Sequence, residues 1–505
     1  MSEEKQTFYI TSPIYYVNDI PHIGHAYTTM SCDFIARFKR LDGFDVCFLT
    51  GTDEHGQKIE RSSELAGVSP FDFVNSVSLK FKDLASQMNF SNDIFLRTSD
   101  SSHKAYVKQI WKTLVANGWI YEGKYCGWYS VRDEAFYNED ELIDGKAPTG
   151  AVVEWVEEKS YFFKLSAFSD KLLKFYEDNP KFILPETRRN EVISFVRSGL
   201  HDLSISRTSF KWGIEVPDDC EHVMYVWLDA LFNYLSGIGG DKSKYWPADL
   251  HIVGKDILRF HAVYWPAFLM AAGIETPKRV FAHGWWTNNG EKISKSLGNT
   301  IDPLNLINKF GLDYVRYFLI REIPFGNDGN YSESIFINRI NSELVNNIGN
   351  LSQRVLAFIQ RYCEGKVPSF SGVYTPEDKA LLDLSHSSIK IMKELVDKQD
   401  LNKAVGVIVD LGSAANEYID KNAPWHLRSV DVTRMNDVLF TLLETIRVIA
   451  ILLQPVIPDS AEKLLSNLGR GKLNFSDIAN SNEMLISGSL LTEPKLVFPR
   501  LNSSN

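Results

Sequence analysis

Cysteine is scarce in this chain: five in 505 residues, Cys32, Cys47, Cys126, Cys220 and Cys363. At those intervals they make no disulfide framework, and no pair has the Cys-x-x-Cys spacing of a zinc knuckle. Long apolar runs are missing as well, since no window approaches the roughly 18 residues that a membrane span requires. Met1-Ser2-Glu3-Glu4-Lys5 runs straight into Phe8-Tyr9-Ile10 without the basic start and cleavage site of a signal peptide. Neither the Rossmann glycine pattern nor the P-loop occurs, and there is no low-complexity tract or internal repeat. The expectation is a soluble, cytoplasmic protein with no membrane partner. Hydrophobic residues at 44% and charged residues at 23% exclude a disordered or fibrous chain. The net charge of −10 leaves a nucleic-acid partner open, because phosphate binding needs a local basic surface rather than a basic total.

What is present is an alternation of elements. A short apolar run, Phe8–Ser12, ended by Pro13, and a second, Asp45–Thr50, flank a stretch with helical spacing from Ala26 to Leu41. Strand, helix, strand in so short a span is a βαβ unit, so the chain opens as doubly wound α/β. Helical stretches follow near Phe71–Met88 and His103–Ala116. Residues 119–222 change texture to short aromatic and charged alternations and read as an inserted small domain. Strand-like runs then resume at Tyr225–Leu228, His251–Gly254 and Val280–His283, with a helix across Phe260–Ala271. From about residue 335 the period is helical, near 337–361, 376–397, 401–421 and 433–453, which predicts a bundle.

Two motifs carry chemistry. The turn after the first strand contains His22-Ile23-Gly24-His25. In doubly wound folds, ligands bind at this edge of the sheet, where a helix start offers free N–H groups to a phosphate. His22 and His25 share one helical face, and Gly24 removes a side chain that would keep a nucleotide away. The plainer alternative is that one histidine caps the helix and the other packs in the core. Far downstream stands Glu291-Lys292-Ile293-Ser294-Lys295-Ser296, bracketed by Gly290 and Gly298. It reads as a mobile surface loop whose lysines bring charge to a triphosphate and whose serines add hydroxyl donors. Taken alone, it is also an ordinary solvated surface.

Together these motifs resemble the two signatures of class I aminoacyl-tRNA synthetases. Thr50-Gly51-Thr52-Asp53-Glu54-His55-Gly56, Tyr225-Val226-Trp227-Leu228-Asp229-Ala230, Gly254-Lys255-Asp256-Ile257 and Ala423-Pro424-Trp425 narrow the resemblance to the methionyl-tRNA synthetase family. The motifs run in the family's order from residue 12 to about 425, nearly the whole chain. The resemblance implies a Rossmann-like parallel-sheet catalytic domain at 1–118 and 223–296, split by an inserted α+β domain at 119–222. A stem-contact linker at 297–345 and an all-α anticodon-binding bundle at 346–505 would follow.

It also implies an activity: methionine and ATP, the latter with Mg2+ as a substrate complex, form methionyl-adenylate, and methionine then passes to tRNA(Met). By the same resemblance, His22, His25, Lys292 and Lys295 are catalytic, and Gly24, Glu215, Gly254, Asp256, Ser294, Lys295 and Ser296 contact ATP. Asp53 pairs with the amino acid's ammonium, while Ile14, Tyr16, Trp227, Leu231, Tyr234 and His261 line a thioether pocket. Asn350, Arg354, Pro424 and Trp425 read the anticodon. Local sequence alone allows blander roles: a helix cap for Asp53, an exposed glutamate for Glu215, core for Trp227, Tyr234 and Trp425, and a solvated face for Asn350 and Arg354.

Two departures stand out. Many relatives hold zinc in the insertion with Cys-x-x-Cys pairs, whereas here Ser130-Val131-Arg132-Asp133 and Ala147-Pro148-Thr149-Gly150 occupy those turns. The expectation is a metal-free insertion. The chain also stops soon after its bundle, so the dimerising carboxyl-terminal domain of some relatives is expected to be missing and the protein to be a monomer. Competing readings are a nucleotidyltransferase with a similar His-x-Gly-His turn, disfavoured by the bundle, and a non-catalytic tRNA-binding paralogue, disfavoured by the intact histidines and lysines.

Overall fold

The computed structural model describes residues 5–18, 20–137, 139–293 and 299–502. They pack as two compact units. One is built mainly from residues 7–21 and 46–283, the other from 22–45 and 284–505.

The first unit is organised by a six-stranded sheet. Its order is Ile94–Arg97, Asp45–Asp53, Thr7–Tyr16, Leu250–Gly254, Val280–His283 and Ile183–Leu184. Thr7–Tyr16 pairs in parallel with Leu250–Gly254 through Ile10–Leu250 and Thr11–His251, and Leu250–Gly254 pairs in parallel with Val280–His283. Two successive strands grow outward on one side of Thr7–Tyr16, and the chain then returns to its other side. The topological switch point therefore falls between Thr7–Tyr16 and Leu250–Gly254, where doubly wound folds open a crevice.

Two local expectations are corrected here. Pro13 does not end the first strand, which continues to Tyr16; its ladder to Leu250–Gly254 runs through Ile10 and Thr11, ahead of the residue that lacks an N–H. Tyr225–Leu228 is not a strand. The strand is Asp219–Met224, and Val226–Leu231 is a helix. A short apolar run has no period that separates a buried strand from a buried helix. Here the helical turn brings Asp229 to two histidines.

The inserted segment forms an antiparallel sheet, Ala135–Tyr137, Ile120–Ser130, Glu154–Phe163 and Leu203–Ser204. It is part of the first unit rather than a separate body. Phe163 packs on Phe268 with ring centroids 4.8 Å apart, and the Tyr176 hydroxyl donates to the Ala262 carbonyl at 2.6 Å. The turns at Ser130–Asp133 and Ala147–Gly150 are tied together by hydrogen bonds. Arg132 Nη2 donates to the Thr149 carbonyl at 2.9 Å and to Thr149 Oγ1 at 2.8 Å, and the Thr149 hydroxyl donates to Asp133. Asp133 N donates to Ser130 Oγ at 3.2 Å and the Tyr137 hydroxyl to Asp133 Oδ2 at 3.2 Å. Among the described residues no group of three or more His, Cys, Asp or Glu side chains is placed to hold a metal.

The second unit holds the helical stretches expected from about residue 335 onward. Pro376–Asp397, Leu401–Asn422 and Val432–Leu453 match the expected stretches. The stretch near 337–361 becomes Glu333–Arg339, a ten-residue segment with wider turns at Ile340–Gly349, and Asn350–Tyr362. The helix Ile23–Leu41, which chain order places inside the α/β stretch, packs within this unit. Its anchor is electrostatic. Arg316, fully buried, donates to Asp33 Oδ2 at 2.6 Å and to the Val456 carbonyl at 2.9 Å, while Arg37 Nε meets the same Asp33 oxygen at 2.8 Å. The Ile23 N–H bonds the Ile301 carbonyl at 3.0 Å, and Phe38 packs on Phe475 with centroids 4.7 Å apart.

Two predictions follow from this packing. Arg316→Ala strips a buried carboxylate of its main partner and should cost about 3–5 kcal/mol in urea unfolding; a loss under about 1 kcal/mol would show the pair to be dispensable. Asp133→Ala should lower stability by about 1–2 kcal/mol, as expected for several lost hydrogen bonds, while a zinc chelator should leave the melting temperature of the unaltered protein in place. A chelator-induced fall in that temperature would reveal a structural metal.

Candidate active site

The sheet edge of the first unit gathers most of the expected amino-acid contacts. Asp53 ends its strand only 6% exposed, and its Oδ1 is buried with no hydrogen-bond partner among the described residues. Burial, then the charges of Asp229 and Glu134, push its pKa well above the ordinary carboxylate value. A buried acceptor without a donor is costly, and an incoming ammonium would both satisfy and neutralise it.

The apolar wall is aromatic. Trp227 stacks on Phe260 at 3.8 Å and 5°, and meets His261 edge-on at 6.0 Å. His261 is pinned at both nitrogens: Nδ1–H donates to the Ile257 carbonyl at 3.0 Å, and Nε2 accepts from the Tyr234 hydroxyl at 2.7 Å. Burial lowers its pKa to about 4, so this ring stays neutral. Leu231, Tyr234 and His261 are each 1% exposed, while Ile14, Tyr16 and Trp227 are partly buried and pack against the same core. Gly254 and Asp256 follow at the carboxyl end of the strand beside Thr7–Tyr16. A Cβ on Gly254 would lie 2.5 Å from Asp256 Oδ1, so a side chain here would push the Asp256 carboxylate aside. Glu215 stands apart, exposed on the Glu215–Val216 strand and 4.0 Å from Lys108.

Residues outside the expected set complete the cluster. Asp229 accepts from His55 Nδ1 at 2.6 Å and from His103 Nε2 at 2.7 Å; burial raises its pKa, but the two imidazoles outweigh that and hold it at about 2. His55 and Asp229 both lie in motif blocks of the sequence, but their pairing spans 174 residues and only the fold reveals it. Phe260 and Glu134 carried no such signal.

The second unit bears the histidine turn. His22 is the N-cap of Ile23–Leu41, so the capping alternative holds and is compatible with chemistry. His22 Nδ1 accepts from the Gly24 N–H at 3.1 Å, and His25 Nδ1 accepts from the His22 N–H at 3.1 Å. A backbone N–H can only donate, so each neutral ring carries its proton on Nε2. Burial and the neighbouring His22 push the His25 pKa well below its ordinary value, and the rings lie 3.9 Å apart. A Cβ on Gly24 would come within 2.9 Å of His22 Cε1, a contact that would displace the ring.

The lysine motif opens as a hairpin. Trp286–Asn288 pairs antiparallel with Glu291–Lys292 across Asn289-Gly290, both with positive φ, the two-residue turn that this dipeptide favours. Ser294, Lys295 and Ser296 lie outside the described residues.

On the helical surface, Asn350 is exposed and Arg354 lies one turn on. Trp425 is 48% exposed, which removes it from the core, and its ring sits 5.5 Å from the Arg354 guanidinium. Arg354 also pairs with Asp420 at 2.7 Å. Pro424 is buried at the first position of Pro424–Val430, after Ala423 in the left-handed conformation.

Comparison with known proteins agrees with this organisation. The model of class I tRNA synthetases (M) matches residues 8–154 and 140–356, and that of the anticodon binding domain of methionyl tRNA ligase matches 367–505. The methionine–tRNA ligase of Rickettsia felis is 56% identical over 98% of this chain and 99% of its own length, and that of Brucella suis is 51% identical over 99% and 98%. The Mycobacterium tuberculosis methionyl-tRNA synthetase in complex with methionyl-adenylate superposes with a TM-score of 0.95 at 48% identity, covering 98% of this chain and 100% of that one. Its apo form gives 0.89 at 44% identity, with full coverage of both chains. This chain belongs to the methionyl-tRNA synthetase family of class I aminoacyl-tRNA synthetases.

Proposed function

We propose that the protein is a methionine–tRNA ligase: it condenses methionine with ATP to methionyl-adenylate and pyrophosphate, then passes methionine to the 3′ end of tRNA(Met). The observation that carries the amino-acid half is the buried Asp53 Oδ1, without a donor among the described residues and within electrostatic reach of Asp229, two residues on from Trp227. The rings of Trp227, Phe260, Tyr234 and His261 supply the apolar wall. Asp53 pairs with the α-ammonium. The flat aromatic walls suit a thioether, whose sulfur contacts ring edges favourably. With Nε2 of His261 already accepting from Tyr234, the pocket offers little to a hydrated side chain.

In the activation step, the carboxylate oxygen of methionine bonds to the α-phosphorus of ATP as the bond to pyrophosphate breaks. Charge grows on the phosphoryl oxygens and the leaving group. His22 and His25 donate from Nε2–H as neutral groups, and Lys292 and Lys295 supply positive charge, with Ser294 and Ser296 as hydroxyl donors. Gly24, Gly254 and Asp256 contact the nucleotide, with Glu215 as a more distant candidate. ATP enters as its Mg2+ complex, the ion travelling with the phosphates. Transfer to tRNA uses the helical surface, where an unpaired anticodon base stacks on Trp425 above Pro424 while Asn350 and Arg354 bond base edges. A monomer working in the cytoplasm completes the reading.

Methionine-dependent exchange of labelled pyrophosphate into ATP tests the activity, and stronger exchange with leucine or isoleucine would overturn the assignment. The same assay tests Asp53. Only the carboxylate pairs with an ammonium, so methionine KM should rise as pH falls through the elevated Asp53 pKa, above the ordinary carboxylate range. Asp53→Asn should raise KM at every pH and abolish that dependence; a variant with the unaltered profile would remove Asp53 from the site.

Trp425→Ala should reduce tRNA charging efficiency about tenfold to a hundredfold, the worth of one stacked base, and leave pyrophosphate exchange intact. Its exposure predicts an unchanged melting temperature. His25→Ala should depress both reactions, because adenylate formation precedes transfer. Equal loss of both activities in the Trp425 variant would dissociate that residue from tRNA.

A further inference from the structure

We propose that Glu134, a residue of the inserted segment, is a positioning residue for the methionine pocket, its carboxylate fixing the Tyr16 ring. The inference rests on the reading that Tyr16 lines that pocket. Glu134 is 4% exposed and takes a left-handed backbone, φ 48°, which an L residue adopts only when its surroundings require it. Its side chain and carbonyl meet four separate elements. Oε1 accepts from the Tyr16 hydroxyl at 2.9 Å and from the Lys58 N–H at 3.1 Å, and Oε2 accepts from the Tyr129 hydroxyl. The Glu134 carbonyl accepts from the Tyr225 hydroxyl at 2.8 Å, and the guanidinium of buried Arg207 lies 4.0 Å from the Tyr129 ring centre.

Tyr16 has one hydroxyl proton and two acceptors within reach, Glu134 Oε1 and the His55 carbonyl, both at 2.9 Å. The carboxylate is the stronger acceptor, so Glu134 decides where the hydroxyl points. The space around it is tight. A Cβ on Gly56, itself at φ 108°, would lie 2.5 Å from the Tyr16 oxygen and 3.1 Å from Glu134 Oε1. Lys58 Nζ stands 5.3 Å from the ring centre. The hydroxyl end of Tyr16 is thus clamped by the insertion. Without Glu134 the hydroxyl turns to the His55 carbonyl and the ring shifts. Glu134 is buried and Tyr16 only partly so; on the reading above, the effect of Glu134 on methionine binding passes through the tyrosine.

A double-mutant cycle in pyrophosphate exchange tests this. Glu134→Ala should raise methionine KM about tenfold, with kcat and the KM for ATP within about twofold of the unaltered protein. Glu134→Gln keeps an acceptor for the phenol but loses its charge, and should raise KM only about threefold. In a Tyr16→Phe background neither substitution should add to KM. An equal rise in that background, or a fall in kcat at unchanged KM, would return Glu134 to a purely structural role. Should Glu134→Ala fail to fold, Glu134→Gln decides, and an unchanged KM there overturns the proposal. Unaltered protein without methionine-dependent exchange would defeat the functional reading itself; active protein with indifferent Glu134 variants defeats only this proposal.

Discussion

A buried guanidinium bonded to a buried carboxylate holds the histidine helix in place. Arg316 and Asp33 are both fully shielded from water, and an isolated charge at either position would be prohibitive. Paired, and with the Val456 carbonyl as a further acceptor, they tie Ile23–Leu41 to the helix Leu312–Arg321 and to the turn after Val432–Leu453. His22, Gly24 and His25 stand at the amino-terminal end of that helix. Their placement is therefore set by packing within the helical unit, although they follow directly on a strand of the sheet unit.

The sheet unit solves a different electrostatic problem. Four carboxylates, Asp53, Glu54, Asp229 and Glu134, are buried in it, and the last three act on Asp53. Glu54 is paired with Arg97. Asp229 accepts from two imidazoles, which keep it ionised. Glu134 accepts from two phenols and a backbone N–H. Asp53 alone keeps a buried oxygen without a donor among the described residues. A desolvated acceptor with nothing to offset its cost is what the proposed pairing with the methionine ammonium would relieve.

The reciprocal capping of His22 and His25 links local structure to chemistry. In many helices, the N-cap satisfies an end and does no more. Here each Nδ1 is occupied by a backbone N–H, which settles the tautomer of both rings. In the activation step proposed above, neutral Nε2–H donors would suit a phosphate that gains charge only as bonds break. Such donors gain most in the transition state and do not hold the ground state too tightly.

Much of this was written in the sequence itself. Apolar runs alternating with helical periods announced a doubly wound start, and four long helical stretches announced the bundle, because hydrophobic period reports local geometry directly. The His-Ile-Gly-His and Thr-Gly-Thr-Asp-Glu-His-Gly blocks pointed to the sheet edge because turns and strand ends in this fold class are where ligands bind. Other features depended on residues far apart in the chain. Val226–Leu231 became a helix against its strand-like composition, with Asp229 bonded to His55 and His103. The exposure of Trp425 and the membership of Ile23–Leu41 in the helical unit depended on partners tens to hundreds of residues distant. Glu134 is the clearest case: nothing in Arg132-Asp133-Glu134-Ala135 sets it apart from a solvated charge. Only folding brings Tyr16 and Lys58 onto it beside its hairpin neighbour Tyr129, because a buried carboxylate takes its role from the donors it meets, and two of those donors come from distant stretches of chain.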